Sequence, residues 1–376
     1  MTALVLLLKS PHAGFEADDD FEAVNEYCRQ RGWSDGLPIV PPTQERVERM
    51  LAYCGRAWDE PLAKLPPRYG EATPLRLAAN AVMAGCLPEY FPLVMLAIEA
   101  MSEERFNLYG IQATTHPCAP LLIFNGPVAR ELGLNAEHSA FGPGAHANAT
   151  IGRAVRLALV NIGGAIPGLG DMSTYGSPTK YSYCAAENEA MSPWAPLHVE
   201  RGFALDATTV TVVAAEPPHN INDHESTTAE GLLKTIAGNL STPGVNDIHH
   251  PLAEPVLLFC PEHAATVAGG GYSKADVKKY LYEHARVPLS KFSDENVNRR
   301  LRKRMPEEYA KAGLDALVPV VKSPDNLIVV VIGGAGKHSA FIPTFGNTRS
   351  VTRPLVHADG RNVASIHELR HAAARS

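Results

Sequence analysis

The sequence predicts an α/β or α+β fold, with a helical N-terminal portion followed by alternating strands and helices. Three observations predict it. The first third of the chain carries helix starts and stops, and the remainder interleaves short apolar or β-branched runs with helical periods. Thirdly, an internal match points to two duplicated α/β modules. In one copy His146-Ala147-Asn148 leads into a helix and then Pro167-Gly168-Leu169-Gly170-Asp171. In the other, His219-Asn220 leads to a helix and then Pro243-Gly244-Val245-Asn246-Asp247. The expected organisation is an N-terminal extension (1–18), a helical region (19–105), a mixed α/β region carrying the site (106–356) and a C-terminal tail (357–376).

In chain order, residues 18–20 can cap a helix running to about Arg31, with Phe21, Val24 and Cys28 on one side. Residues 32–42 form a rigid, aromatic-bearing loop, and Thr43 begins a second helix towards Tyr53. Thr73 caps a third helix with Pro74 at its first position, continuing to Gly85. A fourth spans 88–101, adjusted near Pro92. Strands are expected at 121–124, 208–214, 256–259 and 327–332, and helices at 149–162, 228–240 and 276–284. Thr227 with Glu230, and Ser273 with Asp276, have capping-box spacing.

Composition narrows the function. A net charge of −6 argues against nucleic-acid binding as the main task, because phosphate neutralisation wants a basic face. The basic cluster Arg299-Arg300-Leu301-Arg302-Lys303-Arg304 reads as a solvated or interface face of a helix. The six cysteines are scattered without a C-x-x-C, which suits reduced thiols in a cytoplasmic protein. The apolar run at residues 3–8 is too short for a signal-peptide core, and no stretch reaches membrane-spanning length. A homo-oligomer that meets neither membrane nor nucleic acid is the expectation.

The segment Gln112-Ala113-Thr114-Thr115-His116-Pro117-Cys118-Ala119-Pro120 places an imidazole and a thiol two residues apart in a proline-stiffened run. In extended backbone both point to one face, and a nearby imidazolium lowers a thiol pKa. The competing reading is a buried cysteine acting as a small hydrophobe. Residues 180–189 add Cys184 and Glu187 beside phenols and an ammonium; residues 196–203 add His198, Glu200 and Arg201. Together these could bind a carboxylate and move protons.

Gly333-Gly334-Ala335-Gly336-Lys337-His338-Ser339 fails both the Walker and the dinucleotide patterns, so no nucleotide-binding motif is found. A glycine-built anion nest with Lys337, His338 and Ser339 survives. His219 and His224, with nearby carboxylates, suit a divalent metal such as iron or zinc; H-E-x-x-H is absent.

Residues 32–38, 81–86, 113–120, 180–189 and 333–346 together resemble a little-characterised bacterial family associated with small UGSC-motif thiol or selenol proteins. The chain has no UGSC motif, so it is similar to the larger companion. That resemblance implies thiol or selenol chemistry, with a small partner protein presenting a second thiol or selenol.

The leading expectation is a thiol-dependent enzyme acting on a small polar or anionic substrate by redox or carbon–sulfur chemistry (oxidoreductase, or carbon–sulfur lyase or transferase). Cys118 would be its nucleophile and His116 the modulator; Cys184, Glu187, His198 and Glu200 would assist. Arg201, Lys337, His338, Ser339, Trp33 and Asp35 would bind substrate. The alternatives are a His/carboxylate metalloenzyme and a non-catalytic binding subunit for the small thiol or selenol partner.

Overall fold

The structure, a computed structural model, describes residues 20–370. The apolar run at residues 3–8 and the last six positions of the tail lie outside the described residues. The fold is mixed α/β, helical first and then alternating. Its chain divides into two compact units. Among the described residues the first lies within 1–186, 198–214 and 350–376, and the second is 187–197 and 215–349. The expected boundary at 105/106 falls inside the first unit.

The first unit opens with α1 (Phe21–Gln30) and α2 (Gln44–Leu51), capped by Asp20 and Thr43. Val24 and Cys28 are buried as expected, but Phe21 at the first turn of α1 is 53% exposed. The short pair β1 (Ala63–Leu65) and β2 (Gly70–Ala72) precedes α3 (Pro74–Ala84). Thr73 accepts from the Arg76 N–H, Pro74 begins α3, and Gly85 ends it in the left-handed region. A 3-10 turn at Pro88–Tyr90 then enters α4 (Phe91–Met101), buried along nearly its whole surface. After α5 (Leu108–Ala113) come β3 (Ala119–Asn125), α6 (Pro127–Glu131) and α7 (His146–Asn161), which packs along α3.

The strands β4 (Cys184–Ala186) and β5 (Thr209–Ala215) follow, separated by the one-turn helix α8 (Leu197–Glu200). The sheet order is completed by β12 (Val351–Pro354) and runs β12-β5-β3-β4. Strands β3 and β4 are parallel, and β12 is antiparallel to β5. Every residue of β5 is buried, so a continuous β-branched run marks it better than alternation would.

The second unit contains β6 (His219–Asn222), α9 (Ala229–Leu240), β7 (Val256–Phe259), α10 (Pro261–Gly269) and α11 (Lys274–His284). These are followed by β8 (Arg286–Pro288), β9 (Leu317–Pro319), β10 (Ile328–Val331) and β11 (His338–Ile342). The four-stranded sheet runs β10-β7-β11-β6, with β10 and β7 parallel and β11 antiparallel to both neighbours. Leu232, Leu233, Ile236, Phe259, Val329 and Phe341 lie in its core. Ser273 and Asp276 form the expected capping box, whereas the cap of α9 is Thr228, one residue after the expected Thr227.

Half of the internal match survives. In each unit a helix, α7 or α9, leads to a Pro-Gly-x-x-Asp turn whose aspartate is buried, Asp171 at 4% and Asp247 at 0% exposure. The leading histidines do not correspond, because His146 starts a helix and His219 a strand. In the basic cluster Arg299, Lys303 and Arg304 are exposed, as expected of a solvated helix face, and three of its arginines also find partners within the fold. Arg302 donates to the Ala312 carbonyl and Arg304 to that of His249, while Arg300 meets His250. Among the described residues no helix is long and apolar enough to cross a membrane.

Candidate functional site: a cationic pocket in the first unit

On α7, Arg153 and Arg156 are one turn apart and share a face. Arg153 forms a two-pronged pair with Asp35, Nε to Oδ2 at 2.8 Å and Nη2 to Oδ1 at 2.9 Å. Its Nη2 also donates to the Pro38 carbonyl. This fixes the 32–38 loop, whose Gly36 has φ +95°, a conformation other residues adopt only under strain. Arg156 meets Asp171 at 3.1 Å, and Lys180 Nζ meets both carboxylate oxygens at 2.9 and 3.1 Å.

These charges are largely withdrawn from water: the side chains of Asp171, Arg156 and Lys180 are 4%, 13% and 12% exposed. Burial lowers the Arg156 pKa against the pull of Asp171 and Asp35. Three cations, Arg153, Arg156 and Lys180, share two carboxylates, so the cluster carries excess positive charge.

Two cavities meet at Arg156 and Lys180. The larger, about 800 Å³, is also lined by Asp35 and by the hydroxyl-bearing residues Ser173, Thr174, Tyr175 and Tyr181. That is the size of a small-molecule site. The smaller, about 20 Å³, is lined by Gln112, Ala119, Pro120 and Tyr183 as well. Gln112 is 2% exposed and its Nε2 has no acceptor among the described residues. A buried donor left unpaired is costly, and this one lies on the cavity that Arg156 and Lys180, both paired with Asp171, also line. Gly152 lets α7 approach this closely, since a Cβ there would collide with Ser182 Oγ and the Tyr183 amide.

The sequence-predicted residues fall in both units, Cys118, His116, Cys184, His198, Glu200, Arg201, Trp33 and Asp35 in the first and Glu187, His219, His224, Lys337, His338 and Ser339 in the second. Cys118 is 0% exposed and His116 partly exposed. All six cysteines are buried and none forms a disulfide. Burial raises the thiol pKa values of Cys54, Cys184 and Cys260, pushing Cys28 to about 11 and Cys86 to about 12. Cys184 therefore sits in β4 as a packed, protonated thiol.

Glu187 is buried, accepting from the Leu197 N–H at 2.7 Å and lying 3.7 Å from Lys274, so it serves the backbone and an ion pair. His198, 0% exposed, meets the Leu205 carbonyl at 3.3 Å, while Glu200 is exposed. Arg201 donates to Thr352 and Ser350 hydroxyls. Of the predicted substrate contacts, Asp35 lines the larger cavity; the Trp33 ring instead meets Tyr27 edge-on at 5.9 Å.

In the second unit, Lys337 donates to the His224 carbonyl at 2.8 Å. Ser339 is buried, its hydroxyl 2.8 Å from His263 Nδ1, while His263 Nε2 meets the Asp223 carbonyl at 3.0 Å. His219 pairs in register with Phe341. The neighbour of His224 is His338, so the expected His219–His224–carboxylate set is not assembled. Among the described residues no group of three or more His, Cys, Asp or Glu side chains could hold a metal ion.

Sequence reasoning missed Arg153, Arg156, Asp171 and Gln112 as site residues. The available signal was two arginines one turn apart in the otherwise apolar stretch 151–160 of a helix, with a Pro-Gly-x-x-Asp turn after it. No protein-family model matches this chain, nor does any curated protein or solved structure.

Proposed function

We propose that the first unit binds a small organic anion, of the carboxylate class, in the cavity beside Arg156 and Lys180. The observation that carries this is the surplus of buried positive charge at the junction of the two cavities, where Gln112 Nε2 also awaits an acceptor. Such a ligand would present its carboxylate to Arg156 and Lys180 and its polar body to the hydroxyls of the larger cavity. Charge-assisted bonds in a water-poor site are the strong ones.

Binding of succinate, malate and citrate to the full chain, by calorimetry and thermal shift, tests it. At least one should bind, and Arg156→Gln or Lys180→Met should weaken it about tenfold or more, the loss of one charge-assisted hydrogen bond. Arg201→Gln, whose guanidinium is occupied elsewhere, should bind normally. No binding by any of the three, or equal affinity in the pocket variants, would sink the reading.

Thiol chemistry at Cys118 is the second reading. Favouring it, the two residues that follow Cys118, Ala119 and Pro120, line the same small cavity as Arg156 and Lys180. Against it stands the complete burial of Cys118, because an attacking thiolate must reach its substrate.

A further inference from the structure

The second unit holds a pair of exposed imidazoles whose Nε2 atoms face each other. His224 Nε2 and His338 Nε2 are 3.3 Å apart, and the ring centroids are 5.0 Å apart with planes at 73°. Two nitrogens each bound at ~2.05 Å to a tetrahedral ion lie roughly 3.3 Å apart, and the ring centroids behind them roughly 5 Å apart. Both observed spacings match that edge.

The surroundings orient the donor atoms. His338 Nδ1 faces Asn220 Oδ1 at 3.0 Å, so Nδ1 carries the proton and Nε2 presents its lone pair. His224 is held from two sides. Lys337 Nζ donates to its carbonyl, while the adjacent Asp223 accepts from Ser226 and Thr235 through its carboxylate and from His263 through its carbonyl. Strand pairing of β11 with β6 sets His338 beside Asn220 and Asn222.

We infer that His224 and His338 form a two-histidine site for a borderline divalent ion of the zinc, copper or nickel class, with the remaining coordination positions left to solvent or an external ligand. Imidazole pairs suit these ions, whereas calcium and magnesium prefer oxygen. Asn220 is a positioning residue that fixes the tautomer of His338. Lys337 places a positive charge nearby, which favours an anionic external ligand on the bound ion. The inference does not depend on the carboxylate pocket, which lies in the first unit.

The test is titration of the full chain with zinc and with copper alone, following binding by calorimetry and the copper ion by electron paramagnetic resonance. One equivalent should bind, with the copper spectrum showing two coordinated imidazole nitrogens. His224→Gln and His338→Gln should each weaken binding at least about tenfold, and Asn220→Ala about tenfold, as loss of an orienting partner does. Because both histidines are exposed, the variants should keep the wild-type circular dichroism spectrum. Binding unchanged in both histidine variants overturns the site, as does an imidazole pair whose nitrogen resonances stay those of a direct N–H···N bond at millimolar zinc.

Discussion

Asp247 and His249 share one turn and titrate in opposite senses. Burial pushes Asp247 up to about 7 from 3.8, against hydrogen bonds from the Thr344 amide and hydroxyl, with Glu216 adding to the rise. The folded state then holds its proton where the unfolded chain has lost it. Its contribution is fully present below about 3.8 and is lost as pH rises to about 7. Burial, together with Arg300, His250, Lys322 and Arg304, lowers His249 from 6.5 to about 4, so its contribution is present above 6.5 and lost as pH falls towards 4. The two windows overlap and oppose each other. Denaturant melts across pH 4–7 should show stability rising with pH in Asp247→Asn and falling with pH in His249→Phe, each change on the order of 2–4 kcal/mol. Melts in which the two variants track the wild type at every pH would refute the assignment.

Cys118 is the residue at which sequence and structure diverge most. The sequence shows a thiol beside an imidazole, but accessibility is a property of packing, and the packing closes over this sulfur. Iodoacetamide should leave Cys118 unmodified in the native chain and modify it after denaturation. Rapid native labelling at Cys118 would restore the thiol reading. Gln112, six positions earlier in the same segment, faces the small cavity instead, and its amide is the group that awaits a partner.

Among the elements, those with local signals were the readable ones. Thr43, Thr73 and the Ser273–Asp276 box mark helix starts through bonds made within one turn, and the β7 strand coincides with its expected bounds. The short strands β1, β2, β6, β8 and β9 carry no such signal, since each exists through pairing with a partner. Helix α7 is the element on which the candidate site depends most, and Gly152 sets its distance from residues 182–184. Gly152→Ala should destabilise the chain by about 1–3 kcal/mol, as overpacking does, despite the higher helix propensity of alanine. It should also weaken carboxylate binding, because Arg156 and Lys180 sit on the two segments forced apart. A Gly152→Ala chain as stable as wild type would show that this approach is not tight.

At the scale of the whole chain, two units each carry a four-stranded sheet and a helix followed by a Pro-Gly-x-x-Asp turn. Their buried aspartates have different company: Asp171 has Arg156 and Lys180, Asp247 has Thr344. The same local motif thus holds a charged cluster in one unit and a proton-retaining carboxyl in the other. Hydrogen exchange can place the two proposed ligands on this map. The carboxylate should slow amides in 146–181 and zinc those in 220–226 and 337–339. Slowing confined to other segments would count against the corresponding site.

The sequence by itself determined the mixed α/β class, the starts of the capped helices α1, α2, α3 and α11, and the buried β-branched strands, because caps and periodicity act over a few residues. The tertiary structure alone decided the site. Asp35 and Arg153 are 118 positions apart in the chain, and His224 and His338 are 114 apart. Nothing local marks either pair. Which polar groups become buried neighbours, and which thiol is covered, depends on how distant segments pack, and that packing buries Cys118 and brings Arg156, Lys180 and Gln112 to one cavity.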